Sequence, residues 1–145
     1  MTHKTIIFIL VTTFTSLINI NAQNSVDDIP HEFFHIFKTE PMEALDYAYS
    51  TNRWMLKQVN RIEILKNELK EILLLVGDYH GFEIITKKSI GKNLKLLSYM
   101  VRYDRQPVRF TFVLYKLKDT WRIQDIVYNL DLTGEIIESA KIDRN

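Results

Sequence analysis

His31-Glu32-Phe33-Phe34-His35 has the spacing H-E-x-x-H. On a helix that spacing puts two imidazoles on one face and a carboxylate beside the water of a zinc ion, the arrangement of zinc peptidases. The surrounding residues argue for a solvated helix face instead. Lys38 and Pro41 stand where the extended pattern requires glycine and a third histidine, and no downstream glutamate has the context of a third ligand. No cofactor and no metal are therefore expected, with His31 and His35 the residues that zinc would have to use. The other candidate for chemistry is Asp125. Alternation along Trp121 to Tyr128 places it on the apolar face of a strand, opposite Phe112 and in one row with Tyr99. A carboxylate so enclosed would have its pKa raised and could serve as general base or acid, with tyrosines donating to a developing oxyanion. Tyr99, Tyr103, Phe112 and Asp125 accordingly form the expected ligand-binding set. On the opposite face Arg102 and Arg109 are expected to oppose each other directly, with Glu83 diagonal. Two facing cations cost stability unless an anion or a partner lies between them. The chain has no glycine-rich phosphate loop, serine nucleophile elbow or paired-carboxylate signature, and no cysteine for thiol chemistry or sulfur ligation.

These residues need elements to hold them. Phe33, Phe34 and Phe37 make a short apolar helical face, entered through Asp28 and Pro30. Thr39-Glu40-Pro41 repeats that grammar, followed by Met42, Leu45 and Tyr49. Met55, Val59, Ile62, Leu65, Leu69, Ile72 and Val76 advance by three or four. They predict a third helix from near Ser50 or Thr51 to Gly77, about 35 Å long. Beyond Gly77 the period becomes two, predicting strands at 79–89, 94–103, 108–116 and 121–128. Short turns between long strands require antiparallel neighbours. If Tyr103 opposes Val108 and Lys116 opposes Trp121, the core face runs from Phe82 through Phe110 and Phe112 to Val127. Lys87 and Tyr128 then fall on the mixed outer face. Leu132 to Lys141 reads as a short helix or a tail.

The chain has 145 residues, with 19 Lys+Arg against 18 Asp+Glu and 46% hydrophobic residues, enough for one self-sufficient core. The balanced charge removes the usual electrostatic case for nucleic acid. Lys4, the apolar run Ile6 to Val11 and Ala22 have the order of a secretory signal, too short and too rich in Thr and Ser for a stable bilayer anchor. The expected division is a signal peptide over 1–22 and a single domain over 23–145. That implies export to the periplasm or the outside, with no membrane anchor after cleavage.

Three stretches carry a resemblance: Ala44-Leu45-Asp46-Tyr47 with Thr51-Asn52-Arg53-Trp54, then Tyr99 through Asp104-Arg105-Gln106-Pro107 to Phe110, then Phe112 to Lys116 leading to Trp121. Together with helices followed by a meander of long strands, they resemble the nuclear transport factor 2-like superfamily. More narrowly, they resemble a branch of small exported bacterial proteins without assigned function. Leu117 stands where such sequences commonly carry proline. The resemblance implies a cone-shaped α+β fold, with N-terminal helices, one long, on a curved antiparallel sheet of about four strands. It also implies a pocket between helices and sheet and frequent dimerisation through the sheet. It implies no single function, because this fold hosts isomerases, dehydratases and binding domains alike. The reading from sequence is an exported, non-enzymatic binding or interaction module that takes a small apolar ligand or forms a homodimer through its sheet face. The alternative is an isomerase- or lyase-type pocket enzyme using Asp125, and after it a zinc peptidase through His31, Glu32 and His35.

Overall fold

A computed structural model describes residues 25–142; the segment read as an export signal lies outside the described residues. Three helices come first: α1 (Asp28–Phe37), α2 (Pro41–Ser50) and α3 (Val59–Val76). Four antiparallel strands follow in the order β1 (Tyr79–Ile90), β2 (Leu94–Tyr103), β3 (Val108–Leu117) and β4 (Thr120–Asn129), and α4 (Leu132–Ile142) closes the described chain. The protein is α+β, with a curved open sheet whose inner face packs on α1 to α3.

Proline begins α2 as expected, but Thr39 does not cap it; its hydroxyl donates to Ile36 O and closes α1. Asp28 likewise reaches back to accept from the Ser25 N–H at 2.5 Å. The third helix is shorter than its apolar period predicts. It begins at Val59, so its 18 residues span about 27 Å. Thr51 to Gln58 forms successive turns, with Met55 buried at their centre. The cause lies in Thr51 and Asn52, whose side chains bond to backbone elsewhere and so compete with helix formation.

The β3–β4 register is as expected at its turn, where Lys116 pairs with Trp121 and Lys118 takes a positive φ of 56°. Beyond Ile123 it slips by one residue, and a bulge sets Ile126 opposite Phe112 and Asp125 opposite Val113. Every later residue therefore changes face. Ile126 is 1% exposed while Val127 is 46% exposed, and Tyr128 turns inward against Phe110 and donates to Leu65 O. A second slip, between Ile84 and Thr86 in β1, brings Lys87 opposite Leu97 on the helix side, where it pairs with Asp27 at 2.7 Å. Across β2 and β3, Val101 rather than Tyr103 pairs with Val108. That shift of two residues keeps each side chain on its face but lengthens the connection.

The connection is long because it is used. Arg105 donates its backbone N–H to Val76 O and its guanidinium to Leu75 O, satisfying carbonyls at the end of α3 that have no partner within the helix. Asp104 accepts from the Asp78 N–H at 2.7 Å and meets His80 Nε2 at 2.6 Å. Gly77 has φ +89°, and a Cβ there would stand 2.7 Å from the Asp104 carboxylate. Asp104-Arg105-Gln106-Pro107, the most specific part of the resemblance, thus fastens the sheet to the end of the long helix. The His80 hydrogen bond, then the Asp78 N–H, holds the Asp104 carboxyl below its usual range. A carboxyl depressed in the folded state contributes stability that is complete above about pH 4 and disappears as pH falls through the lowered value. Chemical unfolding at stepped pH should therefore show a shallower acid loss for Asp104→Asn than for the parent below about pH 4. Identical slopes would remove Asp104 from the acid response.

Candidate functional site

The space between helices and sheet is occupied by rings. Phe34 lies 4.1 Å from Phe82, 5.2 Å from Tyr99 and 5.6 Å from Phe112, centroid to centroid. Phe33 meets Phe110 and Phe112, and Phe37 meets Phe110 and Tyr79. Tyr99 and Phe112 of the expected ligand set are brought together here at 5.7 Å, both fully buried. Tyr103 stands apart, edge-on to Tyr79. The hydroxyls of Tyr49, Tyr99 and Tyr103 are buried without a hydrogen-bond partner among the described residues. Burial pushes Tyr49 up to about 12 and the other two further. At physiological pH they are neutral donors and cannot serve as bases.

Asp125 does not join them as the sequence register required. The bulge places it opposite Val113, on the strand at the free edge of the sheet, where its carboxylate is one-third exposed and accepts from Arg61 at 2.8 Å. A carboxylate paired with a guanidinium at a strand edge differs from the apolar enclosure that the general-base reading needs.

Sequence reasoning missed the device that holds this edge. Asn52, only 3% exposed, donates Nδ2 to Ile123 O at 2.7 Å and accepts the Trp54 N–H on Oδ1. Thr51 Oγ1 accepts the Ile123 N–H at 2.9 Å and donates to Ala48 O. Both edge-facing backbone groups of Ile123 are thereby satisfied, immediately before the bulge. Thr-Asn directly after a predicted helix, inside one of the resembling stretches, was the available signal.

Arg102 and Arg109 are not opposed. Arg109 pairs with Met100 in the sheet and makes an ion pair with Glu135 of α4, whereas Arg102 donates to His80 O at 2.9 Å. Glu83 opposes Met100. The repulsion inferred between the arginines therefore does not arise, and α4 covers the Arg109 part of the outer face. His31 lies against the Phe82 ring and His35 is 3.9 Å from Glu32, both histidines exposed on α1. Among the described residues no three His, Asp or Glu side chains converge as a metal site would require.

An apolar-lined concavity lies on the outer face instead. A cleft of about 530 Å³ opens between β1, β2 and α4, lined by Ile84, Ile85, Met100, Pro107, Leu132 and Ile136, with Glu83 and Glu135 at its polar margin. Ile136 is 72% exposed. Such a lining can hold an apolar group by desolvation and offers carboxylates to a polar end. Its two hydroxyls, Thr133 and Ser139, have no histidine or lysine in the lining to activate them.

No protein-family model, curated protein or solved structure matches the chain.

Proposed function

We propose that the protein is an exported, non-enzymatic binding module of the nuclear transport factor 2-like type, and that its apolar ligand or partner segment sits in the cleft beneath α4. The observation that carries this reading is a contrast between two faces. The inner face, where that fold type would keep its pocket, is filled at its centre by Phe33, Phe34 and Phe112 and leaves a smaller recess of about 370 Å³ at its margin beside Asp27, His31 and Lys87, while Ile85, Met100 and Ile136 line an open cleft on the other. An apolar concavity of several hundred Å³ with a few polar groups at its margin has the dimensions of a small-ligand site. The homodimer expected through the sheet face would be confined to the strip of Leu96, Val113 and Val127 that lies outside the cleft lining, since α4 occupies the ground around Arg109.

The neutral dye N-phenylnaphthylamine serves as probe. Met100→Lys, which sets an ammonium into the cleft floor opposite Glu83, should weaken dye binding by about tenfold or more, because a charged, hydrated floor no longer offers the neutral dye an apolar surface. Asp125→Asn should leave binding unchanged. Unaltered binding by Met100→Lys together with loss in Asp125→Asn would return the site to the interior and revive the isomerase or lyase alternative.

A further inference from the structure

The balanced charge is not evenly distributed. From Ile84 to Tyr103 the chain contains no acid, and from Arg105 to Gln124 only Asp119. The β1–β2 turn follows the pair Ile90–Leu94, and the β3–β4 turn follows Leu117–Thr120. Leu94 pairs with Tyr115 and the Lys116 N–H donates to Asn93 O, so both turns lie at one end of the sheet. That end gathers Lys88, Lys92, Lys95, Lys116 and Lys118. None of the five belongs to an ion pair among the described residues, whose pairs use Arg61, Lys66, Lys87, Arg109, Lys141 and two histidines. Lys95 and Lys116 hold their ammoniums 5.4 and 5.8 Å from the Trp121 ring centre, laying their stems over it. Each turn also carries a protruding apolar side chain, Ile90 at 77% exposure and Leu117 at 48%. Beside them, fastened to Ile123 by Thr51 and Asn52, the α2–α3 connection exposes Trp54 between Arg53 and Lys57, with Leu56 following.

We propose that this pole of the sheet docks on an anionic lipid surface, with Ile90 and Leu117 entering the headgroup boundary and the lysines paired to lipid phosphates. No helix of the described residues is long and apolar enough to cross a membrane, and peripheral docking needs none. Lysines at a membrane surface gain from its negative potential, and their stems let charge and apolar tips act on the same plane. A soluble polyanion would use the cations but has no use for the protruding Ile90 and Leu117. Asp78, Asp104 and Asp131 lie at the other end of the strands with Arg102 and Arg105, whereas the five lysines of the pole face only Asp119, so the pole carries the excess positive charge that turns it toward the lipid.

The test is co-sedimentation of purified protein with vesicles of phosphatidylcholine and phosphatidylglycerol, against phosphatidylcholine alone. Parent and variants share everything outside the pole, so their difference reports the pole. Binding should require phosphatidylglycerol and weaken as salt rises. It should fall about fivefold for each of Lys92→Gln and Lys118→Gln. The double variant Ile90→Ser, Leu117→Ser should lose about tenfold or more, with its melting curve confirming that it is folded. No binding to the mixed vesicles would overturn the proposal. Binding by the folded double variant equal to that of the parent would also overturn it, in favour of a charge-only site for soluble polyanions such as heparin.

Discussion

Phe34→Ala is expected to destabilise the protein by about 3–5 kcal/mol, the range for deleting a buried aromatic ring that its surroundings cannot replace. Phe34 is 1% exposed and packs against rings from four elements: Phe33 and Phe37 on its own helix, Phe82 on β1, Tyr99 on β2, and Phe110 and Phe112 on β3. Collapse into the void would need the helix and three strands to move together, which their hydrogen-bonded register resists. Denaturant unfolding measures the loss directly, and Phe34→Leu should recover a large part of it. A cost near 1 kcal/mol for Phe34→Ala would mean that the space between α1 and the sheet is loosely filled, and the case against an interior pocket would fall with it.

Asn52→Ala should cost about 1–3 kcal/mol, the penalty for leaving a buried backbone group without its partner. Removal of the side chain strips the Ile123 carbonyl of its 2.7 Å donor and the Trp54 N–H of its acceptor. Asn52→Asp should cost more than Asn52→Ala, because a carboxylate oxygen would then face the Ile123 carbonyl oxygen in a buried site. The same substitutions should speed hydrogen exchange at the Ile123 amide, which Thr51 accepts from the neighbouring position, while leaving exchange at the β2–β3 pairs slow. Unchanged exchange at Ile123 would show that the edge of β4 is protected by something other than this turn.

Most of the architecture follows from two periods that can be read directly. The aromatic faces of Phe33 to Phe37 and of Phe110 and Phe112 lie where alternation and helical spacing put them, and the turns at Gly91 and at Lys118-Asp119 fall at the expected residues. Three of the departures, the short α3, the β4 bulge and the long β2–β3 connection, share one cause: a side chain bonded to backbone far away in sequence. Thr51 and Asn52 shorten α3 because their partner Ile123 is on β4, 72 and 71 residues on. The bulge that moves Asp125 off the core row follows Ile123, the residue held by that pair. Asp104 and Arg105 enlarge the β2–β3 connection because their partners are around the end of α3. Local pattern carries no information about such partners, and each one-residue slip reverses every face beyond it. The expected site suffered most from this, since Asp125 was placed by counting forward through the bulge. The cleft was not legible because α4 could be recognised as a helix without any sign of which face of the sheet it crosses.

The central claim, that the protein binds at the cleft beneath α4 and not between helices and sheet, is tested most directly by methyl NMR during titration with N-phenylnaphthylamine. Saturable shifts should appear at Ile85, Met100 and Ile136, with Leu97, Leu114 and Ile126 unmoved. Shifts centred on Leu97, Leu114 and Ile126 would place the site in the interior and contradict the account.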